Sequence, residues 1–141
     1  YLNTQASLHE ENCWYKLGNI IQYVNDLFDI HRDLQSGLQT IPNRMSDAYS
    51  FKNYYDGLVW NLKQEIQSIN IPQKQKLHFT ISLMGICALG YIAIDQLICL
   101  QGNQKNLPNL TSLSRKDLII DMEKKSNLWK WIKTVYRLAK T

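Results

Sequence analysis

The stretch "FTISLMGICALGYIAIDQLICL", residues 79–100, decides the fold, and its only charged residue is Asp95. A membrane span needs about 20 apolar residues, so this stretch is long enough to be one. A helix that is apolar on all sides can also be the buried centre of a bundle. The neighbouring segments favour the bundle, because each carries an apolar stripe that must be buried against something. A membrane span stays open as the alternative.

The segments before this stretch have the apolar spacing of amphipathic helices. A long helix is predicted over about residues 9–35, and Ser36-Gly37 is expected to end it. A second helical region is predicted over about residues 46–69. Gly57 is expected to divide that region into a short helix and a longer one.

The central helix is predicted over about residues 78–100, in a segment that begins near Lys74. Gly85 and Gly90 would let neighbouring helices approach it closely. Asp95 is expected to bond Tyr91, one helical turn earlier.

The C-terminal part of the chain is predicted to hold two more helices. Ser114 and Asp117 have the spacing of a capping box, which would start a helix that runs through Lys125. Asn127 is expected to cap the last helix. Its predicted apolar stripe consists of Leu128, Trp131, Ile132, Val135, Leu138 and Ala139, and its basic residues Lys130, Lys133, Arg137 and Lys140 fall on another face. The sequence therefore predicts one all-α domain, residues 1–141, with six to seven helices around the central one.

The charge of the chain is modest overall and uneven along it. The net charge of +4 is too small to indicate a nucleic-acid partner. Residues 115–141 hold eight Lys and Arg against three Asp and Glu, so the C-terminal end is basic. A basic helix there suits an acidic partner or an anionic membrane surface, the second being the less favoured, and a merely solvated face is the alternative.

The residues that carry catalysis or bind metals form no recognisable pattern. The histidines, His9, His31 and His78, are far apart in sequence, and the three cysteines form no Cys-x-x-Cys pair. No glycine-rich phosphate loop and no paired nucleophile and base are visible. We therefore expect a protein that is not an enzyme and that needs no cofactor or metal.

Aromatic residues cluster between positions 49 and 60. Aromatic side chains beyond the needs of the core are typical of protein contact surfaces. Tyr54, Tyr55 and Trp60 are therefore candidate partner-binding residues. The basic residues of the last helix, Lys130, Lys133 and Arg137, are the other candidates.

Three stretches resemble the poxviral Bcl-2-like family of immunomodulators. They are "NYYDGLVWNLKQEI" (53–66), "ISLMGICALGY" (81–91) and "LIIDMEKKSNLWKWIKTVYRLAK" (118–140). In that family a short helix ends in a Tyr-Tyr-Gly-like turn, which "YYDG" (54–57) resembles. The central helix carries a core like Ile-Gly-Leu/Ile-Cys-Ala, which "MGICA" (84–88) resembles.

The resemblance implies a Bcl-2-like bundle and a function by binding. Members of the family are intracellular, non-enzymatic and often homodimeric. They bind host signalling proteins and inhibit innate immune activation upstream of NF-κB or the interferon regulatory factors. The resemblance therefore implies a homodimer in the host cytoplasm with host signalling proteins as partners.

Two alternatives to this function remain open. A smaller group of the family is anti-apoptotic and binds BH3 helices in a surface groove. The cellular form of that groove usually has Asn-Trp-Gly-Arg at the start of the central helix. Here His78-Phe79-Thr80-Ile81 stands near that position, without the arginine that pairs with the BH3 aspartate. The other alternative is a single-pass membrane subunit or a helical exported parasite domain, which shares the style of "LWKWI" (128–132).

Overall fold

The computed structural model of the protein describes residues 5–140, in which seven α-helices and one short 3-10 turn occur and no strand is found. The all-α prediction is thereby confirmed, and the Bcl-2-like arrangement stays a prediction. The helices are α1 (Leu8–Phe28), α2 (Ile30–Ser36), α3 (Ile41–Arg44), α4 (Ala48–Ser68), α5 (Gln73–Gln101), α6 (Arg115–Leu118) and α7 (Lys125–Lys140).

The apolar stretch lies in α5, and α5 is the centre of the bundle. It packs against α1, α4 and α7, and α1 also packs against α4. Among the described residues α5 alone is long and apolar enough to cross a membrane, and 56% of its most apolar window is buried within the protein. Burial of this kind is what the stripes of the amphipathic neighbours require. It favours the central helix over the membrane span.

The contact between α4 and α5 depends on Tyr55 and Gly90. Tyr55 is completely buried, and its hydroxyl donates a hydrogen bond of 2.9 Å to the carbonyl oxygen of Cys87. A Cβ atom on residue 90 would lie 2.2 Å from the Tyr55 hydroxyl oxygen. Only glycine therefore lets the phenol ring reach the backbone of α5, which confirms the close approach predicted at this position.

A buried amide joins the far end of α5 to the start of α4. The Gln101 side-chain oxygen accepts from the backbone N–H of Ala48 at 2.7 Å, and its nitrogen donates to the Asp47 carboxylate at 2.8 Å. Asp47 is also the N-cap of α4. The amide thus satisfies a backbone donor at the helix start, where no intrahelical partner exists.

Two helix boundaries differ from the predictions in the N-terminal half. The long first helix is interrupted at Asp29, which pairs with Arg32 and separates α1 from α2. The predicted division at Gly57 is wrong, since α4 runs through it unbroken. A glycine costs a helix only about 1 kcal/mol, whereas Tyr55 and Val59 on either side of it are both buried.

The C-terminal helices also differ in detail. The capping box of Ser114 and Asp117 forms as predicted, but α6 ends at Leu118, its one buried residue. The last helix begins at Lys125, so Asn127 lies inside it and its side chain donates to the Asp121 carbonyl. The predicted hydrogen bond between Asp95 and Tyr91 is wrong. The Tyr91 hydroxyl on α5 instead donates a hydrogen bond of 2.7 Å to the Asp56 carboxylate on α4.

The buried tyrosines predict loss of stability in alkali. Burial raises the pKa of Tyr55 and of Tyr91 far above the ordinary value of 10.0, and it raises the pKa of Tyr23 to about 12. Because the folded pKa is the higher one, this stability is complete below pH 10 and is lost as pH rises above it. Each of Tyr55 and Tyr91 should lower the free energy of unfolding by about 1.4 kcal/mol per pH unit there.

Urea unfolding between about pH 9 and about pH 11 measures this slope. Tyr91→Phe should make the slope shallower by the contribution of one tyrosine, about 1.4 kcal/mol per pH unit. Ordinary titration of all eight tyrosines in the folded protein, followed by ultraviolet absorbance, would contradict the expectation.

Candidate partner-binding surface

Two hydrogen bonds to backbone carbonyls anchor α7. The Trp131 indole N–H donates to the carbonyl of Gly85 on α5 at 2.8 Å. The Lys63 ammonium, on α4, donates to the carbonyl of Leu138 at 2.8 Å. Lys63 is buried, and this burial lowers its pKa. A cation at the last carbonyls of a helix also opposes the negative end of the helix dipole.

This attachment covers only one side of the apolar face of α7. Leu138 is its single buried residue. Ile132 remains 43% exposed, and the side chains of Leu128, Trp129 and Tyr136 are exposed as well. Ile132 and Tyr136, with Ile81 of α5, border an almost wholly apolar groove of about 260 Å³, here called the α5–α7 groove. Its lining residues are Ile81, Trp131, Ile132, Val135, Tyr136 and Ala139.

A strip of cations lies along the exposed face of α7. The helix contains five Lys and Arg and no acidic residue. The strip, here called the basic strip, consists of Lys130, Lys133, Arg137 and Lys140. At 100° per residue, Ile132 and Tyr136 lie between the buried side of α7 and this strip. The Lys140 ammonium lies 4.2 Å from the centre of the Tyr136 ring, so the two surfaces meet there.

The predicted site residues fall into two groups. Lys130, Lys133 and Arg137 share the exposed face of α7, and the Arg137 guanidinium lies 6.0 Å from the Tyr91 ring centre. Tyr54 and Trp60 are about half exposed on the outer face of α4. The prediction of Tyr55 as a partner-binding residue is wrong. Its side chain is 0% exposed and belongs to the core, so it forms no part of a binding surface.

The sequence did not identify the apolar residues of the groove as binding residues. Ile132 and Val135 belong to the predicted stripe that packs inward, and Ile81 belongs to the predicted central helix. One signal was available: Trp129 and Tyr136 extend the apolar arc of α7 beyond the width that a single neighbouring helix covers. An arc wider than its neighbour leaves apolar surface exposed.

A second groove lies on the other side of α5. It measures about 320 Å³ and is lined by Glu10, Trp14, Ile69, Ile71, Gln75 and Phe79. The Trp14 and Phe79 rings meet edge to face, with centroids 5.9 Å apart. Glu10, the one charged residue of the lining, is held by Ser7 in the capping box of α1. The charged residue of its lining is thus acidic, whereas the lining of the α5–α7 groove holds no charged residue.

The buried thiols are poor nucleophiles. Burial raises the pKa of Cys87 to about 12 and also raises that of Cys13. A thiol in such a site stays protonated, and the protonated form is unreactive. No group of three or more His, Cys, Asp or Glu residues that could hold a metal ion occurs between residues 5 and 140.

No protein-family model, curated protein or solved structure matches this chain. The likeness of residues 53–66 and 81–91 to the poxviral Bcl-2-like family therefore stays a prediction. The turn that "YYDG" (54–57) was expected to form is absent, since these residues lie inside α4.

Proposed function

We propose that this protein is a non-enzymatic binding protein whose α5–α7 groove takes an acidic amphipathic helix of a partner protein. The observation that carries the proposal is the apolar groove beside a basic strip on a helix without acidic residues. Apolar surface of this kind usually marks an interaction site. The charge beside it selects the partner's charge.

A helix is the occupant that suits this groove best. Amphipathic helices bind by laying an apolar stripe, spaced three and four residues apart, into a hydrophobic groove. Each aliphatic anchor that becomes fully buried contributes about 1.5–3 kcal/mol. Acidic residues beside that stripe would meet Lys133 and Lys140, which lie next to Tyr136 on α7 and take part in no ion pair of the described chain. Such contacts orient the helix and speed association.

A protein partner is favoured over an anionic membrane because the apolar surface is concave. Amphipathic helices that bind membranes bury a convex apolar face in the headgroup region. In this protein the apolar residues of α7 line a groove against Ile81 of α5 instead. Vesicles that contain anionic lipid serve as the test of the membrane alternative.

The biological partner we propose is a host protein of innate immune signalling, bound in the host cytoplasm. Its support is the resemblance of residues 53–66 and 81–91 to the poxviral Bcl-2-like family. A BH3 helix is the second candidate, because it too is amphipathic and carries an aspartate. In BH3-binding proteins an arginine at the start of the central helix usually pairs with that aspartate. Here Ile81 lies in that stretch, so the pairing cation would come from α7.

A displayed library of helical peptides tests the groove and requires no identified partner. Each peptide has an apolar stripe and random residues beside it. Selection on the wild-type protein should enrich Asp and Glu at the flanking positions, and counter-selection on a Lys133→Glu/Lys140→Glu variant should remove those peptides. Enrichment of basic residues, or equal binding to both proteins, would refute the proposal.

Two further measurements separate the candidates. BH3 peptides and acidic peptides from the selection are titrated in parallel by calorimetry, and the tighter class identifies the kind of helix. If the protein floats with anionic vesicles and binds none of the peptides, its partner is a membrane surface and not a protein.

A further inference from the structure

A polar cleft lies between α1 and α2, on residues that take no part in the α5–α7 groove. It measures about 380 Å³ and is lined by the last turns of α1, by α2 and by the loop that follows α2. Gly37 ends α2 with a φ of 72°, a conformation that glycine adopts readily. The chain turns back there, and α3 packs against both α1 and α2. This space, here called the α1–α2 cleft, has the volume of an ordinary ligand site, about 300–1,000 Å³.

Asp33 lines this cleft and has a buried carboxylate without a partner. The residue is only 4% exposed. Its backbone is bonded on both sides, since its N–H donates to the Asp29 carbonyl and its carbonyl accepts from the Leu38 N–H, each at 2.9 Å. Its carboxylate takes part in no ion pair and no hydrogen bond between residues 5 and 140. A buried carboxylate is costly unless it is paired, and the cleft is the space from which a partner can reach it.

The other aspartates of the cleft already have partners. Asp26 accepts from the Gln22 side chain at 2.7 Å, and Asp29 pairs with Arg32. Three aspartates and one arginine give the lining a charge of −2. Asp33 is thus the unpaired anion of a negatively charged cleft, and a cation is attracted more strongly where water is partly excluded.

Thr40 supplies a second unpaired group in the same cleft. Its hydroxyl oxygen is buried and has no hydrogen-bond partner in the part of the chain that the structure describes. Its backbone N–H donates to the Asn43 side chain at 3.0 Å. Buried polar groups are nearly always hydrogen-bonded in folded proteins. Two exceptions that line one cleft indicate that a hydrogen-bond donor binds between them.

We infer that the α1–α2 cleft binds a guanidinium group, such as the side chain of an arginine. A guanidinium is planar and presents five N–H donors, two of which can meet a carboxylate side by side. It therefore has enough donors for Asp33 and for Thr40 together. It is also more weakly hydrated than a lysine ammonium, so it enters a partly dry site more easily. A metal ion is disfavoured, because residues 5–140 contain no group of three or more His, Cys, Asp or Glu that could hold one.

Titration of the full chain with blocked amino acids, followed by the amide chemical shifts in NMR spectra, tests the site. N-acetyl-arginine amide should shift the amide signals of residues 22–40 in a saturable manner. N-acetyl-citrulline amide has nearly the same shape and no charge, so it should cause no saturable shift there. N-acetyl-lysine amide should bind more weakly than the arginine compound.

Asp33→Asn should weaken the binding of N-acetyl-arginine amide about tenfold or more, because it removes the charge of the carboxylate. The variant should melt no lower than the wild type, because the carboxylate has no partner in the fold. An aspartate with a structural role would instead give a lower melting temperature. Thr40→Val should weaken binding severalfold for the loss of one hydrogen bond.

Asp95→Asn is the matched control. Asp95 is a partly buried aspartate without an ion pair, and it lies on α5, outside the cleft. Its replacement removes the same charge from the protein and should leave the affinity for N-acetyl-arginine amide unchanged. Equal losses in the Asp33 and Asp95 variants would overturn the inference.

Agmatine, a free guanidinium compound, distinguishes the two sources of this cation. Tighter binding of N-acetyl-arginine amide than of agmatine supports an arginine of a polypeptide, and the reverse order supports a free small molecule. Three results would overturn the inference: equal binding of the arginine and citrulline compounds, unchanged affinity in Asp33→Asn, or a clearly lower melting temperature of that variant. None of these results depends on the α5–α7 groove.

Discussion

Gly90→Ala is expected to lower the free energy of unfolding by at least about 3 kcal/mol, the upper part of the usual range for overpacking a core. The added methyl group would lie 2.2 Å from the hydroxyl oxygen of Tyr55 and 2.4 Å from its Cζ atom. Tyr55 is completely buried, so its ring has no free space to move into. Either α4 moves away from α5, or the ring tilts and gives up its bond to the Cys87 carbonyl.

Chemical denaturation followed by circular dichroism measures the change. Gly18→Ala is the control, because its methyl group meets no atom within 4 Å and it should raise stability by up to about 1 kcal/mol. Gly85→Ala should be nearly neutral, since its methyl group would meet the Trp131 ring at an ordinary 3.6 Å. A Gly90→Ala protein as stable as wild type would show that the close contact with Tyr55 does not hold the bundle together.

Local signals in the sequence predicted much of the fold. The span of α5, the glycine at the end of α2 and the capping box of Ser114 depend on neighbouring residues, and all three were predicted correctly. The break at Asp29 and the continuity of α4 through Gly57 depend on packing. A pattern of residue types says little about packing between distant segments, because tertiary contacts override local propensity.

The candidate surface was less predictable, and Tyr54 and Tyr55 show why. The two residues are adjacent and chemically identical, yet one is half exposed and the other is completely buried. Tyr55 recurs four residues after Phe51 and four residues before Val59, so its position in the core could have been inferred from the periodicity. The exposure of Ile132 could not, because it depends on how much of α7 is covered by α5.

Ile132→Glu is expected to weaken the binding of a selected acidic peptide about a hundredfold or more. The change removes an apolar anchor worth about 1.5–3 kcal/mol. It also places a carboxylate against the acidic flank of the peptide, which adds repulsion. Ile132 is 43% exposed, so the free protein should remain folded. Calorimetric titration of the peptide into each variant gives the dissociation constants.

Ile21→Glu is the matched control for this substitution. Ile21 is also an isoleucine within a long helix, it is 38% exposed, and it lies on α1, away from α7. Its replacement should leave the affinity of the peptide unchanged. Equal losses in the two variants would mean that the negative charge of the protein, and no contact in the groove, determines binding.

Amide hydrogen exchange of the protein with and without the selected peptide tests the α5–α7 groove most directly. We predict that the peptide slows exchange in α7 and in the N-terminal half of α5, around Ile81, and that the amides of α1 change little. Two results would contradict the assignment of the α5–α7 groove as the partner-binding surface. One is slower exchange confined to α1, around Trp14 of the second groove, and the other is unchanged exchange in α7.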